Sequence, residues 1–290
     1  MISEVYDIEV LSNLFTYTGY RRQTKTFYQF VIHKSRNDFK ELISHLQTND
    51  LVMIGFNCEK YDYPILHHII NHYSEYINLD GLQLALKIYQ KSQEVISQEF
   101  SAIADRNKFI PQIDLFRIWH FDNAAKATSL KNLEVAMNLP FVEDMPFSHD
   151  TWINGSQIDA ILDYNKKDVI ATSNFLDITQ GNTDLPLYKG KNKLKLRFAI
   201  QKKFGLACIN YNDIQVGTEL ILKLYCEKFN KDIYKIRRLR TPRPEINLGD
   251  CLPEWMNFKT NSFDSVIQKF RDTTIYNGVT KNKFEMSTIY

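Results

Sequence analysis

The chain has 290 residues, of which 44% are hydrophobic and 24% charged, as expected for one or two folded globular domains. No run approaches the roughly 20 consecutive apolar residues of a membrane-spanning helix, and residues 1–10 lack the basic and apolar regions of a signal peptide. The four cysteines form no CxxC pair, so we expect reduced thiols in a cytoplasm rather than a zinc site or a disulfide framework.

The formal net charge of +2 is unevenly distributed along the chain. Residues 1–182 contain 16 lysines and arginines against 23 acidic residues, whereas residues 183–290 contain 20 against 11. This division indicates a metal-using catalytic module beside a surface that contacts phosphate. Ordinary variation in charge between two domains is the alternative interpretation.

The hydrophobic pattern of the first part predicts alternating strands and helices, which is typical of an α/β layer fold. In chain order we predict a strand over 5–11, a strand over 25–32, a helix over 37–48, a strand over 51–57 and a helix over 63–73. Pro64 falls in the first turn of the last helix, where proline is tolerated.

The next part predicts a strand over 113–119, a helix over 129–139 and a long amphipathic helix over 156–178. We expect Asn165, Lys166 and Lys167 to lie on the outer face of the long helix. Gly, Asn, Asp and Pro then cluster over 179–190, which places the predicted domain boundary between residues 182 and 183.

Residues 183–290 are predicted to form a smaller basic region. Its predicted elements are a basic segment of no assigned type over 191–205, a helix over 212–230 and an extended stretch over 240–255. Its basic residues form two runs, namely Lys189, Lys191, Lys193, Lys195, Arg197, Lys202 and Lys203, and then Arg237, Arg238, Arg240 and Arg243. Contact with nucleic-acid phosphates and a solvated charged face are equally compatible with both runs.

Four acidic residues and one tyrosine form the most informative pattern. Asp7 and Glu9 are two apart on a strand and therefore point to the same side. Asp62 lies between a predicted strand and a predicted helix. Tyr164 and Asp168 are one turn apart on the long helix and share a face. Each of these three short patterns is common on its own, but their occurrence together in this order indicates a catalytic site.

Carboxylates brought together repel each other and lose ionisation unless cations neutralise them. A set of oxygen ligands without His or Cys favours Mg²⁺ or Mn²⁺. Two such ions about 3.5–4 Å apart can activate a water and stabilise the departing 3′ oxygen of a phosphodiester. The hydroxyl of Tyr164, one turn from Asp168, is expected to orient that water.

The set resembles the three exonuclease motifs of the proofreading domain of family B DNA polymerases. Asp7 and Glu9 match the first motif, Asp62 within the pattern NxxxYDxP the second, and Tyr164 with Asp168 the third. The resemblance covers residues 3–178 and implies a ribonuclease H-like fold, in which a mixed sheet is flanked by helices. It implies a 3′→5′ exonuclease of the tyrosine subclass.

The resemblance also implies roles for single residues. Asp7, Glu9 and Asp168 would bind the first metal ion. Asp7 would also reach the second metal ion, which Asp62 would support through water. Two neighbouring residues would contact the substrate. Asn57 would hydrogen-bond the 3′-terminal nucleotide, and Tyr61, where the family usually has Phe, would pack beside it.

The histidine subclass requires a histidine five residues before the last aspartate, but position 163 is Asp. The early position of the first motif and the segment 113–140 resemble bacteriophage polymerases. The polymerase palm motifs DxxSLYP, KxxxNSxYG and DTDS are absent from the sequence. We therefore expect a proofreading exonuclease whose polymerase palm lies in the remainder of a longer chain or in a separate partner chain, with single-stranded DNA 3′ ends as substrate.

Two other readings remain open. An RNase D-like RNA exonuclease also uses a Tyr-xxx-Asp motif, although Pro64 in the NxxxYDxP pattern favours the polymerase family. A polymerase exonuclease domain retained as a non-catalytic scaffold is the second, although all four carboxylates are intact in this sequence.

Overall fold

In the computed structural model of the chain, the described residues are 2–98, 102–239, 243–276 and 279–280. They form two compact units, residues 1–221 and 222–290, and the division falls within one helix, Asp213–Phe229. The predicted functional division at 182/183 stays a prediction. No helix within the described residues combines the length and the apolar content needed to cross a membrane.

A six-stranded mixed sheet organises the first unit. Its strands are β1 (Ile2–Leu11), β2 (Leu14–Arg21), β3 (Thr26–His33), β4 (Arg36–Asn37), β5 (Leu51–Gly55) and β6 (Gln112–Asp114). Their order across the sheet is β4-β3-β2-β1-β5-β6. β1 pairs antiparallel with β2 and parallel with β5, and β5 pairs parallel with β6. β1 therefore lies at the point where the antiparallel half of the sheet meets the parallel half.

Helices cover both faces of this sheet. The first unit contains α1 (Phe39–Leu46), α2 (Asp62–Asn71), α3 (Tyr73–Tyr76), α4 (Gly81–Ser97), α5 (Leu115–Ile118), α6 (Leu130–Ala136), α7 (Ile158–Thr179) and α8 (Lys193–Phe204), and α9 (Asp213–Phe229) spans the division. Helices α1, α2 and α4 share a buried core with Tyr6, Ile8 and Val10 of β1. Helix α7 packs against the opposite face of β1 and β2. The predicted α/β class, a mixed sheet flanked by helices, is confirmed and is compatible with a ribonuclease H-like fold.

The second unit contains α10 (Ile233–Arg238), α11 (Asn261–Arg271) and a three-stranded antiparallel sheet. The strands of this sheet are β7 (Glu245–Asn247), β8 (Thr274–Tyr276) and β9 (Val279–Thr280), with β8 in the centre. Only residues 245–247 of the stretch predicted to be extended over 240–255 form a strand, and a short 3₁₀ helix follows at Gly249–Cys251. Residues 240–242 lie outside the described part.

Several local predictions differ from the structure. The predicted strand over 113–119 is wrong after Asp114, because the Asp114 side chain accepts the backbone N–H of Phe116 and caps α5. Strand β2 and helix α4 were not predicted, and the basic segment over 191–205 forms α8. Ser129 caps α6 as predicted, by accepting the N–H of Asn132.

The basic run over 189–203 is not uniformly solvated. The side chain of Arg197 is fully buried. Its guanidinium donates to the carbonyl oxygens of Lys193 and Tyr211 and to Asp213. Lys193 also pairs with Asp213. Arg197 therefore has a structural role. Neither use considered for the basic run, contact with phosphates or a solvated charged face, applies to this buried side chain. Arg240, in the second run, lies outside the described residues.

A buried polar cluster crosses the sheet on the face opposite α7. Glu4 of β1 is fully buried and accepts hydrogen bonds from Tyr17, Arg21 and His45 at 2.5–2.7 Å. A Cβ atom at Gly19 would lie 2.2 Å from Oε1 of Glu4, so only glycine leaves room for this carboxylate. Burial alone would raise the pKa of Glu4, but the hydrogen bonds and the charge of its partners lower it below the usual 4.5.

We predict that Glu4→Gln lowers the free energy of unfolding at pH 7 by about 1–3 kcal/mol, because it removes the charged acceptor of the buried Tyr17 and His45 and of the partly buried Arg21. A lowered folded-state pKa stabilises the fold above 4.5, and this contribution is lost as the pH falls through the folded-state value. Urea unfolding from pH 7 to pH 3 should therefore show the two proteins converging at acid pH. A constant difference across this range would contradict the assignment.

Candidate metal centre

The centre lies where β1 faces α7. Alternation along β1 directs Asp7 and Glu9 to the same face of the sheet, and both remain partly exposed. On α7 the spacing of four residues directs Tyr164 and Asp168 towards them. Carboxylate oxygens of Asp7, Glu9 and Asp168 all lie within 4.8 Å of one another.

Asp62 is the first residue of α2 and is 6% exposed. It does not belong to the group of three oxygens within 4.8 Å. It is nevertheless the neighbouring charge that raises the pKa of Asp7 most. Burial raises the pKa of Asp62 itself to about 7, although the backbone N–H groups of Asp62 and Ile8 lower it. The structure thus places Asp62 beside the three carboxylates, and its role stays a prediction.

Burial and electrostatic repulsion both oppose ionisation of the carboxylates in the centre. Burial raises the pKa of Asp7 well above its usual range, and the charges of Asp62, Glu9 and Asp168 raise it further. The pKa of Glu9 is raised in the same way by burial, Asp168 and Asp62. Such a group of carboxylates is stable in its ionised form only when cations neutralise it.

Asn165 is a further residue of the centre, and its predicted position was wrong. It was predicted on the outer face of the long helix, but it is fully buried, and its Nδ2 donates to Oδ2 of Asp7 at 2.6 Å. Its Oδ1 has no hydrogen-bond partner among the described residues. Asn165 lies four residues after Ile161 and four before Val169, both buried, so helical periodicity could have located it.

Lys131 of α6 is a second residue that was not predicted. Its Nζ lies 2.7 Å from Oδ1 of Asp168 and 3.3 Å from Oε1 of the buried Glu134. The same ammonium group lies 4.6 Å from the ring centre of Tyr164. Lys131 also lowers the pKa of Glu9. It partly compensates the negative charge of the centre, and no local pattern reveals this because α6 and α7 meet only in the folded chain.

Tyr164 is half-buried beside the acidic residues. Burial, followed by the charges of Asp168 and Glu9, raises the pKa of its hydroxyl far above the usual value. The hydroxyl therefore stays protonated at neutral pH. It can donate a hydrogen bond to an oxygen atom in the centre.

The two predicted substrate residues lie in the segment between β5 and α2. Asn57 adopts a left-handed backbone conformation with φ of 61°, and its N–H donates to Asp114. Tyr61 is partly buried and packs against the core that α1, α2 and α4 share with the sheet. Burial and the neighbouring Asp62 raise the pKa of the Tyr61 hydroxyl. Contact with a substrate stays a prediction for both residues.

The donor set fits a hard divalent cation. It consists of carboxylate oxygens, and the described structure places no His or Cys in the group. Mg²⁺ and Mn²⁺ prefer such ligands. Asp7, Glu9 and Asp168 would hold the ion. Asn165 anchors Asp7 through its Nδ2, and its Oδ1 has no partner within the described part of the chain.

No protein-family model, no curated protein and no solved structure matches the chain.

We predict that Asp7→Asn raises the stability of the metal-free protein by about 1–2 kcal/mol at pH 7. In the unfolded chain Asp7 is ionised above its usual pKa of 3.8. In the folded chain burial and the neighbouring carboxylates raise this pKa, so the ionised side chain destabilises the fold at pH 7. In wild type, Mn²⁺ at about a hundred times its dissociation constant should raise the free energy of unfolding by about 2.7 kcal/mol. Thermal unfolding with a chelator and with Mn²⁺ measures both effects.

Asp163→Asn is the matched control, since Asp163 lies on α7 but is exposed. This variant should behave like wild type in both solutions. Equal stabilisation of wild type and Asp7→Asn by Mn²⁺ would show that the cation binds elsewhere.

Proposed function

We propose that the chain is a metal-dependent 3′→5′ exonuclease of the tyrosine subclass that releases nucleoside monophosphates from DNA. The observation that supports this best is the convergence of Asp7, Glu9 and Asp168 within 4.8 Å, with Tyr164 one turn from Asp168. Neither the strand nor the helix alone provides this arrangement, because the acidic residues meet only when α7 packs on β1.

The residues of the centre have distinct tasks in this proposal. Asp7, Glu9 and Asp168 hold divalent cations, with Asp62 as a further support. Two Mg²⁺ or Mn²⁺ ions bound there would supply a nucleophilic water and stabilise the departing 3′ oxygen. Asn165 fixes the rotamer of Asp7 through its hydrogen bond. Lys131 orients Asp168 in the same manner.

Tyr164 positions the attacking oxygen in this proposal. Its hydroxyl is protonated at neutral pH, and burial followed by the charges of Asp168 and Glu9 raises its pKa further above the usual value. A protonated phenol can donate to a water or hydroxide and align it with the phosphorus atom. It is too weak an acid to transfer that proton at neutral pH, so its contribution is positional.

The substrate is a single-stranded DNA 3′ end, and the biological role is proofreading for a replicative polymerase of family B type. The exonuclease motifs around Asp7, Asp62 and Asp168 support the family, and the mixed sheet flanked by helices is compatible with it. Asn57 and Tyr61 then contact the terminal nucleotide. The polymerase palm belongs to another part of a longer chain or to a partner chain.

We predict that Asp7→Ala lowers the release of mononucleotides from a 3′-labelled DNA oligonucleotide in Mn²⁺ by about a thousandfold or more, because it removes a metal ligand. Tyr164→Phe should slow the reaction by about tenfold to hundredfold, since positioning is lost while the ligands remain. Single-turnover assays with saturating enzyme measure both rates, and filter binding should show DNA affinity within about threefold of wild type.

Asp163→Ala on the exposed face of α7 is the control and should retain the wild-type rate. An RNA oligonucleotide of the same sequence, assayed in parallel, tests substrate choice. Faster cleavage of RNA would favour an RNase D-like enzyme. No release by wild type in Mg²⁺ or Mn²⁺ would favour a non-catalytic scaffold, and full activity of Asp7→Ala would place the reaction elsewhere.

A further inference from the structure

The segment that connects β5 to α2, residues 56–61, is here named the β5–α2 loop. It contains Asn57, and Asp62 follows it directly. Asn57 has a positive φ of 61°, a conformation that a non-glycine residue adopts at some energetic cost. Asparagine adopts this conformation more readily than most non-glycine residues, and the contacts around the loop hold it in this shape.

Asp114, at the end of β6, provides the first set of contacts. Its side chain is 1% exposed. Oδ1 accepts the N–H of Asn57 at 2.9 Å and that of Phe116 at 3.0 Å, and Oδ2 accepts the N–H of Glu59 at 3.1 Å. One buried carboxylate thus fixes two backbone amides of the β5–α2 loop to the end of a strand.

Glu59 provides the second set. Its side chain is 3% exposed and forms ion pairs with Lys108 and Arg117. A buried carboxylate of this kind is stable only while its partners remain in place, because an unpaired charge in the interior is costly. The Glu59 side chain therefore ties the loop to the segments before and after β6.

Asn210 joins the two sets. Its Nδ2 donates to Oε1 of Glu59 and to the carbonyl oxygen of Gln112, each at 2.9 Å. Its Oδ1 accepts the N–H of Asp114, also at 2.9 Å. The amide of Asn210 is thus fully used, and every bond goes to β6 or to the β5–α2 loop. Asn210 lies between α8 and α9, beyond the segment that resembles the exonuclease family.

We propose that Asn210 is a positioning residue for the exonuclease, acting through Glu59 and Asp114 to hold the β5–α2 loop and hence Asn57. This inference rests on the proposed function, in which Asn57 binds the terminal nucleotide. Asn210 itself touches neither the metal ligands nor the substrate. The catalytic unit consequently requires residues after position 182, because the loop is completed by a side chain from that part of the chain.

Asn210→Ala tests the inference, with Asn212→Ala as the matched control. Asn212 lies on the same segment and is also buried, but its side chain bonds His120 and the N–H of Gln215 rather than the loop. Asn210→Ala should raise KM for a 3′-labelled DNA oligonucleotide by about tenfold or more, with kcat changing by less than about threefold. Asn212→Ala should leave both values unchanged.

A double-mutant cycle with Asn57→Ala separates positioning from general destabilisation. If Asn210 acts through Asn57, the two substitutions are non-additive, and the double variant should have about the same KM as Asn57→Ala alone. Strict multiplication of the two effects on KM would overturn the inference. If Asn210→Ala does not fold, Asn210→Ser replaces it in the same cycle.

A second readout does not depend on activity. Cys58 belongs to the β5–α2 loop and is 1% exposed. Loosening of the loop in Asn210→Ala should accelerate alkylation of Cys58 by about tenfold, measured by mass spectrometry of the Cys58 peptide, whereas Asn212→Ala should not. Unchanged protection of Cys58 together with an unchanged KM would overturn the positioning role. Faster alkylation in a protein whose wild type does not cleave DNA would show that Asn210 holds the β5–α2 loop and would overturn the proposed exonuclease.

Discussion

Repulsion among carboxylates is the constraint on which the rest of the structure depends. Asp7, Glu9 and Asp168 converge within 4.8 Å, and Asp62 lies close enough to raise the pKa of two of them. A fold optimised for stability alone would separate these charges or replace them with apolar groups. Divalent cations bound between the carboxylates would offset the cost of bringing these charges together. The ammonium group of Lys131 compensates the charge in part.

The architecture around this centre keeps the acidic residues in place. β1 is central in the sheet. Asp7 and Glu9 lie where it pairs with β2, and residues 2–5 of the same strand pair with β5. Helix α7 contributes Tyr164 and Asp168 from one rigid element of 22 residues. Buried polar groups complete the support, since Asn165 bonds Asp7 directly and Asp114 fixes the segment that precedes Asp62. Rigid elements and satisfied hydrogen bonds are what an active centre requires for precise geometry.

Part of this arrangement follows from sequence periodicity. A spacing of two residues on a strand placed Asp7 and Glu9 on one face, and a spacing of four on a helix placed Tyr164 near Asp168. The set of carboxylate oxygens, without His or Cys, then predicted Mg²⁺ or Mn²⁺ as the bound ion. These inferences use only regular elements and the chemistry of the side chains, so they needed no tertiary information.

Other features depended on contacts that the sequence does not display. Lys131 and Asn210 act through partners far along the chain, and neither belongs to a motif. The predicted strand over 113–119 ends early because the side chain of Asp114 caps a helix. Helix α4, by contrast, begins with a capping box of Asp80 and Gln83, which is a local pattern that the sequence does display. The prediction for Asn165 was wrong because the polar side chain was assigned to solvent, although its position on the helix matches the buried stripe.

The central claim is that the carboxylates on β1, α2 and α7 bind a pair of divalent cations. The most direct measurement is anomalous diffraction at the manganese edge from crystals soaked in Mn²⁺. Our account predicts two anomalous peaks among Asp7, Glu9, Asp62 and Asp168, about 3.5–4 Å apart. A map with no peak between these residues at millimolar Mn²⁺, while manganese binds elsewhere on the molecule, would contradict the account.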